Sequence, residues 1–236
     1  DKNLTLLINK IQTSTILTDS IKNKKADVLI FDIIQNKLKT SFKLKINNKI
    51  IHSSNYKFTI NAIGNHNILN ATASIIAAKL NGIKNKDINN ALINYVGVKR
   101  RFSFIGKKNK SFVYDDYAHH PTEIAATLSA AKSLKNKVIV VFQPHRYTRT
   151  KILIREFIKV LSKVDYLFLL ETYSAGEKII KGANSKDIYS KVLKKNKNTI
   201  YLKNIGDLNK LMKPYTMNQN TIVFMGAGSI SRIAKK

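Results

Sequence analysis

Cysteine is absent from the 236 residues, and so is tryptophan. Without cysteine there can be no disulfide, no thiolate metal ligand and no thiol nucleophile. That suits a reducing compartment, and a cytoplasmic location is the expectation. No apolar run approaches the roughly 20 residues that span a bilayer as a helix, so membrane insertion is not expected. The opening residues, Asp1-Lys2-Asn3-Leu4, show neither an initiating Met nor a signal-peptide pattern. The expectation is therefore a chain that starts within a longer protein whose N-terminal part is missing. No G-x-x-x-x-G-K-[ST] phosphate loop occurs, and Gly106-Lys107-Lys108 is not one. The absence of a G-x-S-x-G elbow disfavours a Ser/His/Asp hydrolase. Outside residues 115–123 no His, Asp or Glu stand at metal-ligand spacing, so no metal ligand is assigned.

Acidic residues are also scarce, 14 against 42 basic ones, for a net charge of +28. Such a balance invites a nucleic-acid reading. Only six of the basic residues are Arg, however, and Arg is the residue that grips phosphate bidentately and reads guanine edges. The Lys are scattered and accompanied by 25 Asn, a pattern that AT-rich codon usage would produce. A solvated basic surface is the favoured reading, with no nucleic-acid partner, although the field would still draw in small anions.

What is present is a hydrophobic fraction of 44%, mostly aliphatic, in a chain long enough for one large or two modest domains. Residues 5–56 read as short strands, with Asn47-Asn48 as a hairpin turn. Helices are predicted from about His66 to Leu80, with Asn67 as its cap, and from an Asp87 cap to Tyr95. A boundary at Gly97 divides the chain into 1–97 and 98–236. Beyond it, strands at Phe112–Asp115, Val138–Phe142, Tyr166–Leu170, Thr199–Leu202 and Thr221–Met225 alternate with helices at Pro121–Leu134, Thr148–Leu161, Asn184–Lys194 and Ile205–Leu211, and a last helix starts near Gly228. Apolar strands alternating with helices predict an α/β fold with a doubly wound, mostly parallel sheet.

The chemistry gathers at predicted strand ends, where open parallel sheets bind ligands. Asp115-Asp116-Tyr117-Ala118-His119-His120 follows one strand. Gln143-Pro144-His145-Arg146-Tyr147-Thr148-Arg149 follows the next and places two Arg at a helix start, where an anion such as a carboxylate is favoured. Glu171-Thr172-Tyr173-Ser174-Ala175-Gly176-Glu177 follows a third and reads equally well as a plain loop. Arg100-Arg101 stands at the boundary, either a basic linker or a phosphate fork. His66 and Asn70 share one helix face, and the residues alone leave open whether they serve the fold or an adenine edge. Gly226-Ala227-Gly228-Ser229-Ile230-Ser231 lacks the third glycine of a dinucleotide fingerprint and reads better as a packing turn.

In their order, GNHNILNATA, GVKRRF, DDYAHHPTEI, FQPHRYTR, YSAGE and GAGSI resemble the Mur ligases, ATP-dependent amide-forming enzymes of peptidoglycan synthesis, from about residue 60 to the end. HHPTE and PHRYTR resemble the branch that adds L-alanine to UDP-N-acetylmuramate; the murein tripeptide ligase is the alternative within the family. The resemblance implies the back part of a central ATP-binding domain at 1–97 and a Rossmann-like domain at 98–236. It implies ATP and Mg2+ as cofactors, with the principal magnesium ligands and the phosphate-binding loop upstream. By resemblance, His66 and Asn70 would contact adenine or ribose, Asp116 the ribose, and Arg101 the phosphates. Tyr117 and His119 would line the reacting centre, while Arg146 and Arg149 would hold the alanine carboxylate or its neighbour. Ser229 stands where the family commonly has Asp. A nucleic-acid-binding module and a nicotinamide-dependent oxidoreductase remain the rivals from other classes.

Overall fold

The computed structural model describes residues 19–46 and 56–234. The strand-like stretch before residue 19 and the turn at Asn47-Asn48 lie outside the described residues. The chain forms two compact units, Asp1–Val96 and Gly97–Lys236.

In the first unit four strands, β1 (Asp19–Ser20), β2 (Val28–Asn36), β3 (Lys39–Ile46) and β4 (Lys57–Ile60), pair in chain order. β1 runs parallel to β2, and the other pairs are antiparallel. Period-two alternation puts Thr40, Phe42, Leu44 and Ile46 of β3 on the buried face. Helix α1 (Asn65–Leu80) covers that face with Ile68, Ala71, Ile75 and Ile76, and α2 (Asn85–Asn94) adds Ile88. Each of these isoleucines contributes about 1.5–3 kcal/mol by leaving water. Two expected caps fall differently. Gly64 is the cap of α1, and Asn67 lies within the first turn, donating from Nδ2 to the Ile63 carbonyl at 2.8 Å. Asp87 is likewise inside α2, whose cap is Lys84.

The second unit is built on a six-stranded sheet of order β5-β6-β10-β7-β8-β9. Its strands are β5 (Ser103–Lys108), β6 (Ser111–Asp116), β7 (Val138–Phe142), β8 (Tyr166–Leu170), β9 (Thr199–Leu202) and β10 (Thr221–Met225). All pairs are parallel except the β5–β6 hairpin. β7 and β10 are buried along their whole length, which is why both read as unbroken apolar runs. The connecting helices are α3 (Pro121–Lys132), α4 (Tyr147–Ile152), α5 (Ile154–Leu161), α6 (Ser185–Val192), α7 (Leu208–Thr216) and α8 (Ile230–Ala234).

Two elements differ from the sequence reading, and the strand order adds what no local pattern encodes. The single helix expected over 148–161 is two, broken at Leu153, where φ is −107° and ψ is 20°. Residues 205–207 form a 3-10 turn that leads into a longer α7. The last strand in sequence, β10, lies between β6 and β7, with Met225 in register with both Asp116 and Phe142. The tips of β6, β10, β7 and β8 therefore end together on one edge of the sheet.

Candidate active site

At the β6 tip, Asp116 is buried, 4% exposed. Its Oδ2 accepts the Phe102 amide at 2.7 Å, and its Oδ1 accepts the Ala118 amide at 2.6 Å. Burial pushes its carboxyl above the ordinary range, against the pull of those amides, the Thr127 hydroxyl and the Arg101 charge. Both oxygens thus tie the entry segment to the loop after β6.

That loop is held from its other end by a reciprocal cap. The Glu123 carboxylate accepts the His119 and His120 amides at 3.0 and 3.2 Å, and the His120 ring accepts the Thr122 amide at 3.3 Å. Burial would raise the Glu123 carboxyl, but the His119 amide and charge, the His120 amide and Arg101 together hold it below its ordinary value. His119 Nδ1 lies 2.9 Å from the Tyr117 carbonyl. A carbonyl only accepts, so this contact assigns the proton to Nδ1 and leaves Nε2 as the acceptor of the neutral ring. The exposed Tyr117 ring meets His119 edge to face at 5.2 Å.

The loop after β7 and the loop after β8 are stitched together. Arg146 N donates to the Tyr173 carbonyl at 2.9 Å, and Tyr173 N donates to the Pro144 carbonyl at 2.8 Å. Arg146 adopts a left-handed φ of 70° as the cap of α4, a strained conformation of the kind that gathers at functional sites. The His145 and Tyr173 rings stack at 5.4 Å, and His119 faces His145 at 5.9 Å. Arg149 Nη1 lies 3.3 Å from His145 Nδ1 and donates to the His145 carbonyl at 3.4 Å. Burial, then the charges of Arg149, His119 and Arg146, hold His145 below its ordinary range, with Glu177 opposing. Glu177 in turn accepts the Thr148 amide at 3.0 Å and the Thr148 hydroxyl at 2.6 Å, closing the third loop onto the start of α4.

Two more features frame this wall. Arg101 is exposed and acts electrostatically on both Asp116 and Glu123. The turn after β10 carries no side chain at Gly226 or Gly228 because there is no room for one. A Cβ at Gly226 would lie 2.7 Å from the Gln143 carbonyl, and one at Gly228 would lie 2.8 Å from Gln143 Oε1 and 2.9 Å from Tyr173 Cγ. This agrees with a packing turn. Ser229 is exposed, and it is Ser231 that donates to the Asp115 carboxylate.

The structure thus brings Tyr117, His119, Arg146 and Arg149 onto one wall, borders it with Arg101, and sets Asp116 beneath it. His66 and Asn70 belong to the first unit, on the first two turns of α1, with Asn70 exposed. His145 and Tyr173 are ring members of the wall that sequence reasoning did not single out. Their adjacency to the chosen Arg and to YSAGE was the available signal. Among the described residues no group of three or more His, Asp or Glu side chains could hold a metal ion, and no helix is long and apolar enough to cross a membrane. Two guanidinium groups and two imidazoles on one partly buried wall suit a carboxylate, and the His119 acceptor nitrogen can take a proton.

Comparison with known proteins places the chain among described relatives. The family described as "Mur ligase, glutamate ligase domain" matches residues 100–228. The UDP-N-acetylmuramate–L-alanine ligase of Wigglesworthia glossinidia brevipalpis is 39% identical over 227 residues, covering 91% of this chain and 47% of that protein. Among solved structures, the UDP-N-acetylmuramate-alanine ligase of Thermotoga maritima superposes with a TM-score of 0.74 at 27% identity, over 93% of this chain and 46% of that one. The MurF ligase of Thermotoga maritima in complex with ADP superposes with a TM-score of 0.69 at 14% identity, over 100% of this chain and 50% of that one, a likeness of fold alone. The chain spans about half the length of the curated relatives it matches.

Proposed function

The chain belongs to the Mur ligase family, and from that premise we propose that it works in the ATP-driven joining of L-alanine to the carboxylate of UDP-N-acetylmuramate, a cytoplasmic step of peptidoglycan precursor synthesis. The reading draws on the alanine-adding relatives, and the observation that carries it is the wall formed by His119, His145, Arg146 and Arg149.

Arg146 and Arg149 supply the forks for the alanine carboxylate. His145, held neutral, accepts from Arg149 and keeps that fork oriented. His119, with Nδ1 engaged by the Tyr117 carbonyl, offers Nε2 for the proton that the alanine ammonium must lose before its nitrogen attacks. Tyr117 lines the reacting centre. ATP, when bound, supplies the phosphoryl group that makes a carboxylate oxygen a leaving group. Arg101, an exposed guanidinium, fits its phosphates, and the His66 and Asn70 pair fits its adenine or ribose by residue type and spacing. Asp116 braces the loop after β6 through the Phe102 and Ala118 amides. Mg2+, when bound, would offset the charge of the ATP phosphates, with its principal ligands upstream of this chain.

The test is phosphate release from ATP by the full-length protein, measured with and without each partner. Release that requires both UDP-N-acetylmuramate and L-alanine is the expected result. Release that is indifferent to L-alanine, or that prefers a murein tripeptide, would refute the assignment.

A further inference from the structure

Arg100 stands where the entry segment meets the strand tips, and it is engaged from four directions. Its guanidinium donates through Nη2 to the Gly226 carbonyl and lies over the Tyr117 ring, 4.7 Å from the centroid. Its Nε approaches Asp115 Oδ2 at 3.4 Å. Its own carbonyl accepts the Tyr117 amide at 2.7 Å. Asp115 is 3% exposed and also receives the Ser231 hydroxyl. Arg100 Nε and Asp115 Oδ1 have no hydrogen-bond partner among the described residues. The pair is therefore held by charge in a poorly solvated place, an arrangement that is costly to break from one side. The backbone at Arg100 is left-handed, with φ of 62°, and these contacts hold it there.

The next two residues complete the picture. Phe102 also has a left-handed φ, 48°, and its amide is fixed by Asp116. Arg101 is mounted between two anchored neighbours while its own side chain stays exposed. We infer that Arg100 is a positioning residue: it touches no substrate but fixes the backbone of Arg101 and the ring of Tyr117 against the Gly226 turn. The inference rests on the ligase reading above, which gives Arg101 and Tyr117 their work.

The test is Arg100→Lys in the full-length protein, which keeps the charge but loses the planar fork and the ring contact. Turnover is expected to fall about tenfold or more while the KM for L-alanine stays within about twofold, because only transition-state positioning is lost. Hydrogen exchange of the Tyr117 amide is expected to quicken by about tenfold or more, as its carbonyl partner is released. Asp115→Asn should reproduce both effects, and the double variant should be no worse than either single one. If Arg100→Lys does not fold, Asp115→Asn carries the same readings. Unchanged turnover with quickened exchange would overturn the positioning role, as would unchanged exchange. A wild-type protein that fails to ligate alanine would sink the ligase reading instead, and the exchange result would then decide whether the clamp exists.

Discussion

His119 and His145 reach toward each other from different strand tips, their ring centroids 5.9 Å apart. His145 is held below the ordinary 6.5 by burial and by Arg149, His119 and Arg146. Replacing Arg149 by Met should therefore raise the His145 midpoint in an NMR titration, and a stationary midpoint would refute the contact. The linkage has a definite sign. Between 6.5 and the lower folded value, the unfolded chain binds a proton that the folded chain does not, so stability falls as pH drops through that window. His145→Gln should flatten that slope.

Asp116 braces the entry segment against the loop after β6. Asp116→Ala leaves the Phe102 and Ala118 amides without their acceptor, a loss of about 1–3 kcal/mol or more in urea unfolding. Asp116→Asn keeps one acceptor oxygen and should cost less. An Ala variant as stable as the parent would show that the brace is idle.

Glu177 holds the third loop to α4 through the amide and hydroxyl of Thr148, the hydroxyl being the stronger influence on its lowered pKa. A depressed carboxyl stabilises above the ordinary value of 4.5 and loses that contribution as pH falls through its folded value. Wild type and Glu177→Gln should thus differ in melting temperature at pH 7 and converge in acid. A constant difference across pH would assign the effect to packing rather than charge.

The glycine turn yields a ranking. At Gly226 a Cβ meets the Gln143 backbone carbonyl at 2.7 Å, and φ is +150°, whereas at Gly228 the nearest atoms belong to the Gln143 and Tyr173 side chains and φ lies outside the glycine-favouring region. Gly226→Ala should therefore cost more stability than Gly228→Ala, in the range of about 1–3 kcal/mol that overpacking brings. The reverse order would mean that the turn itself moves.

Much of this was legible in the sequence because apolar runs in a parallel sheet are covered on both faces and mark their own ends. Val138–Phe142, Tyr166–Leu170, Thr199–Leu202 and Thr221–Met225 are strands as expected. β5 was missed because an edge strand of sequence Ser-Phe-Ile-Gly-Lys-Lys buries little; the left-handed Asn109 that turns its hairpin was the clue. The helix break at Leu153 leaves Ile152 77% exposed, and no proline or glycine in the sequence marks it. The central place of β10 follows from the crossover, which no local pattern encodes. Asp116 illustrates the same limit: the sequence gives a carboxylate at a strand tip, but only the fold reveals that two amides already claim it.

The claim on which the rest depends is that one cationic wall holds a carboxylate, and ligand titration by NMR tests it most directly. With L-alanine added to the full-length protein, the His119 and His145 rings and the Arg146 and Arg149 guanidinium signals should move together along one saturation curve, and Arg149→Met should abolish the response. Separate curves for the four residues, or an unchanged response in Arg149→Met, would contradict the account.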